Sequence, residues 1–147
     1  MPSSSRNILF IEDDADTREL VAFVLKRENY EVVVAENYEQ ALALAATGRF
    51  DLYLLDNWLP GGSGVELCRR LRAFDANTPI LFYSGAAYEQ DKLEALASGA
   101  QGYLTKPVAH EQLIAEIARL IAAARHENAV TVDPIRYKNS FVPQGSR

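Results

Sequence analysis

Five short apolar runs recur along the chain, and each is followed by a segment with helical periodicity. Ile8-Leu9-Phe10-Ile11 stops at three acids, and Val32-Val33-Val34 lies between Glu31 and Glu36. Leu52-Tyr53-Leu54-Leu55 lies between Asp51 and Asp56. Ile80-Leu81-Phe82-Tyr83 follows Pro79 and ends at Ser84-Gly85. Gly102-Tyr103-Leu104, the weakest of the five, ends before Lys106-Pro107. Unbroken apolar runs this short suit strands buried on both faces, as in a parallel sheet.

The intervening segments carry helix signals. Leu20, Val21, Val24 and Leu25 form one apolar stripe, and Ala41, Leu44 and Ala45 form a second. The second has Asn37 as N-cap, Gln40 three residues on and Gly48 as its stop. Ser63 followed by Glu66 reads as a capping box ahead of Val65, Leu67 and Leu71. Leu93, Leu96 and Ala97 mark a fourth helix that stops near Gly99. Leu113, Ile117, Leu120, Ile121 and Ala124 mark a fifth and longest one. Strict strand–helix alternation predicts an α/β doubly wound domain, a five-stranded parallel sheet with helices on both faces. The expected domain spans 7–125. Helical periodicity fades after His126, so 126–147 reads as a C-terminal tail or linker.

Composition narrows the function classes. The net charge is −5 and the sequence pI about 5.0, against the basic surplus of a free-standing nucleic-acid binder. A single cysteine, Cys68, forms neither an intramolecular disulfide nor a CxxC metal site. No apolar run approaches a membrane span, and Met1-Pro2-Ser3-Ser4-Ser5-Arg6 is no signal peptide, so a cytoplasmic location is expected.

In an open parallel sheet, ligands bind beyond the carboxyl ends of the strands. Those ends carry Glu12, Asp13 and Asp14 after the first strand, Asp56 after the third, Ser84 after the fourth and Lys106 after the fifth. The second strand ends in Ala35-Glu36, which this reading leaves outside the site. Taken singly, each residue has an ordinary explanation: acids cap helices, Asp56 opens a turn, Ser84 precedes a glycine, and Lys106-Pro107 is a loop pair. Taken together they do not. Two unit charges about 4 Å apart repel by about 4 kcal/mol at an effective dielectric of about 20, and a proton, a counter-charge or a metal must relieve that. An all-oxygen acidic set favours Mg²⁺. A lysine across the pocket suits phosphate, a hydroxyl adds one hydrogen bond, and a carboxylate can act as the nucleophile. The combination reads as a phosphoryl-transfer site.

The pattern resembles the receiver domain of two-component response regulators. Glu12-Asp13, Asp56-Asn57-Trp58-Leu59-Pro60-Gly61-Gly62-Ser63-Gly64, Ser84-Gly85-Ala86, Tyr103 and Lys106-Pro107 carry the likeness, in order and spacing, over about 7–125. The resemblance implies a flavodoxin-like sheet of order 2-1-3-4-5. It implies that Asp56 accepts a phosphoryl group from a phosphohistidine on a sensor histidine kinase or a histidine phosphotransfer protein. Asp13, Asp56 and the backbone carbonyl of Trp58 would ligate Mg²⁺, with Glu12 acting through water. Lys106 would contact the phosphoryl oxygens, with its bond to Pro107 cis. Ser84 and Tyr103 would be the switch residues. They would alter the face formed by the fourth helix, fifth strand and fifth helix, where a downstream protein target or a second copy in a homodimer would bind. Glu12 stands where aspartate is commoner, and the bulk of Trp58 would either shield the site and slow hydrolysis or simply pack over the loop. Ala86 has no polar side chain and is given no role in positioning water.

The resemblance implies a switch that promotes its own phosphorylation and dephosphorylation rather than a turnover enzyme. It acts alone, as a relay, or as a fragment of a longer response regulator. A Mg²⁺-dependent phosphatase with an aspartate nucleophile would need a second acid two residues on, where Trp58 stands. A flavin binder would need a phosphate-cradling loop where the three acids stand. A degenerate receiver would not be expected to keep Asp56, Ser84 and Lys106 together. Cys68 reads as a half-buried packing residue, and His110 and His126 as residues of the first and last turns of the final helix.

Overall fold

A computed structural model of the chain describes residues 5–132. Its sheet has five parallel strands: β1 (Arg6–Ile11), β2 (Tyr30–Ala35), β3 (Leu52–Leu55), β6 (Ile80–Ser84) and β7 (Gly102–Thr105). The spatial order is β2-β1-β3-β6-β7. That is the expected 2-1-3-4-5 once a small antiparallel hairpin, β4 (Trp58–Leu59) and β5 (Gly62–Ser63), is set aside. The hairpin was not foreseen.

The helices are α1 (Ala15–Arg27), α2 (Tyr38–Thr47), α3 (Gly64–Phe74), α4 (Glu89–Ala97) and α5 (His110–Val132). Side chains alternate across a strand, so each apolar run feeds both faces of the sheet. Ile8, Phe10, Leu54 and Leu81 pack with Val21 and Leu25 of α1 and Leu113 and Ile117 of α5. Leu9, Ile11, Leu55 and Phe82 pack with Ala41 of α2, Leu67 and Leu71 of α3 and Ala95 of α4. Burying one such side chain contributes about 1.5–3 kcal/mol.

The caps form as the sequence predicts. Asn37 accepts from the Gln40 amide at 2.8 Å, and Ser63 and Glu66 close a reciprocal capping box. Five expectations change. Leu20, expected in the apolar stripe of α1, is exposed, and Val21, Ala22 and Leu25 face the core. Leu93 and Leu96 are exposed, and α4 turns the small Ala95 inward instead, with its C-cap Ser98 also buried. Val33 and Val34 are partly exposed, because β2 is an edge strand rather than a strand covered on both faces. Cys68 is fully buried, its thiol on the Ser98 carbonyl. Helical backbone continues through His126 to Val132, past 125. Residues 133–147 of the expected tail lie outside the described residues.

The chain leaves β1 toward β2 on one side and returns to β3 on the other. The sheet order therefore reverses between β1 and β3, and a crevice opens above their carboxyl ends.

Candidate functional site

Glu12 and Asp56 begin the loops that flank this crevice. Both follow fully buried strand residues, Ile11 and Leu55, and their backbones are tied to the sheet. The Glu12 amide donates to the Ala35 carbonyl at 2.9 Å, and the Asp56 amide donates to the Ile11 carbonyl at 3.3 Å. These bonds bring together carboxylates distant in sequence. One oxygen from each of Glu12, Asp13 and Asp56 lies within 4.8 Å of the others. Glu12 and Asp56 are buried and Asp13 is exposed.

Asp14 does not join them. It is the N-cap of α1, and its carboxylate accepts from the Thr17 amide at 2.9 Å and the Thr17 hydroxyl at 2.7 Å. Those bonds hold its pKa below the usual range. The three acids thus divide into one helix cap and two members of the carboxylate cluster.

Lys106 supplies the counter-charge. Its Nζ donates to Glu12 Oε1 at 2.8 Å and to Asp56 Oδ2 at 3.4 Å, and it lies 5.0 Å from the Tyr83 ring centroid. Its backbone amide donates to the Ser84 carbonyl at 2.9 Å, and the Lys106–Pro107 peptide is cis. Burial would lower the lysine pKa, but Glu12 and Asp56 outweigh it and raise the value. Burial raises the pKa of Glu12, against the opposing pull of Lys106.

Ser84 and Tyr103 meet at one peptide. Ser84 Oγ accepts from the Ala86 amide at 3.1 Å, and the Tyr103 hydroxyl donates to the Ala86 carbonyl. Ala86 therefore serves through its backbone. The Tyr103 ring stacks on Phe82 at 5.4 Å, and burial raises its hydroxyl pKa. Thr105, paired with Ser84 across β6 and β7, has a buried hydroxyl with no hydrogen-bond partner among the described residues.

The loop after Asp56 forms one wall. The Trp58 amide donates to Asp56 Oδ1 at 3.2 Å, while 64% of the Trp58 surface is exposed. Its ring lies against the loop after β6, where a Cβ added to Gly85 would meet Trp58 Cζ3 at 3.5 Å. Asp13, Asn57, Trp58, Leu59 and Pro60 line a cleft of about 420 Å³ beside the carboxylates. Gly64 is required by close approach, since an added Cβ would stand 2.3 Å from the Asp56 carbonyl oxygen.

Three contributors escaped the sequence reading. Asn57 is buried, and its carbonyl accepts from the Gly64 amide at 2.8 Å. Arg18 grips the acidic loop from α1, and Glu36 pairs with Arg18. The one signal for Arg18 is a cation one turn into a helix that opens on acids, against the sense of the helix dipole.

An all-oxygen donor set with no His or Cys fits a hard divalent cation rather than zinc or copper. None of the described helices is long and apolar enough to cross a membrane.

The family model for the response regulator receiver domain matches residues 8–118. The phosphate regulon transcriptional regulatory protein PhoB of Pseudomonas aeruginosa is 37% identical over 118 residues, 79% of this chain and 52% of that protein. The transcriptional regulatory protein ResD of Bacillus subtilis is 32% identical over 83% of this chain and 50% of its own length. The chain thus spans about half the length of these relatives. The structure is similar to a CheY-like receiver domain protein from Methanospirillum hungatei, with TM-score 0.82 and 27% identity. That match covers 84% of this chain and 99% of the other.

Proposed function

This chain belongs to the response regulator receiver family of two-component signalling, and from that premise we propose that it is a phosphorylation switch whose acceptor is Asp56. The observation that carries the reading is the buried Asp56 carboxylate, set between two further acids and the Lys106 ammonium. The donor is a phosphohistidine on a sensor histidine kinase or a histidine phosphotransfer protein. An Asp56 oxygen attacks phosphorus, the bond from phosphorus to the histidine nitrogen breaks, and the imidazole leaves with its electron pair.

Glu12, Asp13, Asp56 and the Trp58 carbonyl are the residues that would hold Mg²⁺, Glu12 through water. Bound there, the ion would neutralise charge on the transferring oxygens. Lys106 is the protein's own cation for those oxygens, and its ties to Glu12 and Asp56 hold it in position. Ser84 would exchange the Ala86 amide for a phosphoryl oxygen, since a phosphoryl group offers three strong acceptors. That exchange would loosen the Ala86 peptide from Tyr103 and alter the face built by α4, β7 and α5. A downstream protein target or a second copy would read that face. The site promotes its own phosphorylation and dephosphorylation and works as a switch rather than a turnover enzyme, and the cytoplasm is its expected location.

Two settings fit this chemistry. One is a stand-alone switch or phosphorelay intermediate, and the solved receiver domain protein from Methanospirillum hungatei is of similar extent. The match to half of longer transcriptional regulators favours the receiver portion of such a protein, with DNA contacts left to another domain. The length of the natural reading frame separates them.

Intact-protein mass after incubation with acetyl phosphate and Mg²⁺ tests the assignment. The expected outcome is a gain of one phosphoryl group in the native protein, lost in Asp56→Ala and lost with EDTA. Labelling that persists in Asp56→Ala would reject it.

A further inference from the structure

The guanidinium of Arg18 reaches back from α1 into the acidic loop. Its Nη1 donates to the Glu12 carbonyl at 2.9 Å and to the Asp13 carbonyl at 3.3 Å, and its Nη2 lies 3.8 Å from Glu36 Oε2. The side chain is only 15% exposed, whereas Glu36 is largely in solvent. A cation near a helix N-terminus opposes the helix dipole, so this placement needs compensation. Two consecutive main-chain carbonyls and a carboxylate provide it. A planar fork with five donors can serve all three at once, which a lysine ammonium cannot do in the same geometry.

The two carbonyls belong to the residues that place carboxylates in the site. The Glu12 backbone is also held on its other side, by the Ala35 carbonyl, and Glu36 follows Ala35 directly. Glu12 and Asp13 are therefore clamped between the end of β2 and the first turns of α1. Glu36, which the sequence reading left out of the site, anchors the far side of the clamp.

We propose that Arg18 is a positioning residue for the cation site: by holding the Glu12 and Asp13 carbonyls it fixes the directions in which their carboxylates point, and Glu36 steadies it. This rests on the reading of Glu12, Asp13 and Asp56 as metal ligands. Charge alone predicts the opposite effect, since removing a positive group beside an acidic site favours a divalent cation. The sign of one measurement therefore separates the two ideas.

Mg²⁺ alone is titrated into the full chain, read by emission of Trp58, the chain's single tryptophan, and by the rise in melting temperature with Mg²⁺ concentration. Arg18→Met is expected to weaken Mg²⁺ binding by about tenfold, the usual scale for removing a group that orients a ligand. Arg18→Lys, which keeps the charge and loses the fork, is expected to weaken it too, and Glu36→Gln to a smaller degree. Acetyl phosphate labelling of Arg18→Met should return to the native rate when Mg²⁺ is raised to saturation. Unchanged or tighter Mg²⁺ binding in Arg18→Met would overturn the proposal while leaving the switch reading intact. If Arg18→Met fails to fold, native affinity in Arg18→Lys overturns it equally well. Native protein that binds no Mg²⁺ would overturn this proposal and the ligand assignment beneath it.

Discussion

Lys106 and Glu12, ninety-four positions apart, form the closer ion pair of the site: 2.8 Å, against 3.4 Å from Lys106 to Asp56. The ammonium leans toward Glu12, and Asp56 is the more weakly held by it of the two. The pair also makes a statement about pH. The folded pKa of Lys106 lies above its ordinary 10.5. Its contribution to stability is complete below 10.5 and is lost as pH rises through the folded value. Lys106→Met is expected to cost about 2 kcal/mol at neutral pH, less than breaking a fully buried pair because the lysine is partly exposed. Its stability should then fall less steeply than the native protein's above pH 10.5. Urea midpoints measured from neutral to alkaline pH check both, and parallel alkaline limbs would contradict the second.

Asp13 is the exposed member of the carboxylate cluster, so it adds repulsion and little packing. Asp13→Asn should keep or raise the melting temperature in EDTA. It should lose most of the further rise that Mg²⁺ gives the native protein. Melting curves with and without Mg²⁺ decide it, and an undiminished Mg²⁺ increment would remove Asp13 from the ligand set.

Trp58 stands at the site with its amide on Asp56 and its ring against the Gly85 loop. A bulky apolar ring there would limit the approach of water to a phosphoryl group carried by Asp56. Trp58→Asn is expected to shorten the phosphoryl lifetime several-fold without changing the acceptor. The decay of the phosphorylated mass after donor removal measures this, and equal lifetimes would reject the shielding role.

Thr105 buries a hydroxyl with no partner among the described residues. Valine has nearly the same shape and no polar atom, so Thr105→Val should stabilise the protein by about 1 kcal/mol. In a chain of this size that is a rise of about 3 °C in melting temperature. A lower melting temperature would mean that the hydroxyl has a partner worth keeping.

Much of the molecule was written in local pattern. The apolar runs mark all five strands of the sheet, and Asn37 and the Ser63–Glu66 pair mark helix starts, because caps and strand burial depend on neighbours a few residues away. The fourth helix misled: Leu93 and Leu96 have helical spacing, but α4 joins the core cluster of Phe82 and Ala100 through Ala95, and the two leucines are exposed. The exposed valines of β2 misled in the same way, because an apolar run does not by itself say how far the helices cover an edge strand.

By itself the sequence determined the α/β alternation, the residue types at each strand end and the family they resemble. These follow from periodicity and from chemistry at fixed spacing. Only the tertiary structure decided which acid of Glu12-Asp13-Asp14 is a cap, and that Lys106 favours Glu12 over Asp56. It alone showed that Ser84 and Tyr103 share the Ala86 peptide, and that Arg18 and Glu36 brace the acidic loop. Each of these depends on where a flexible side chain ends once distant strands have paired, and hydrogen bonds between such ends leave no periodic trace in the chain.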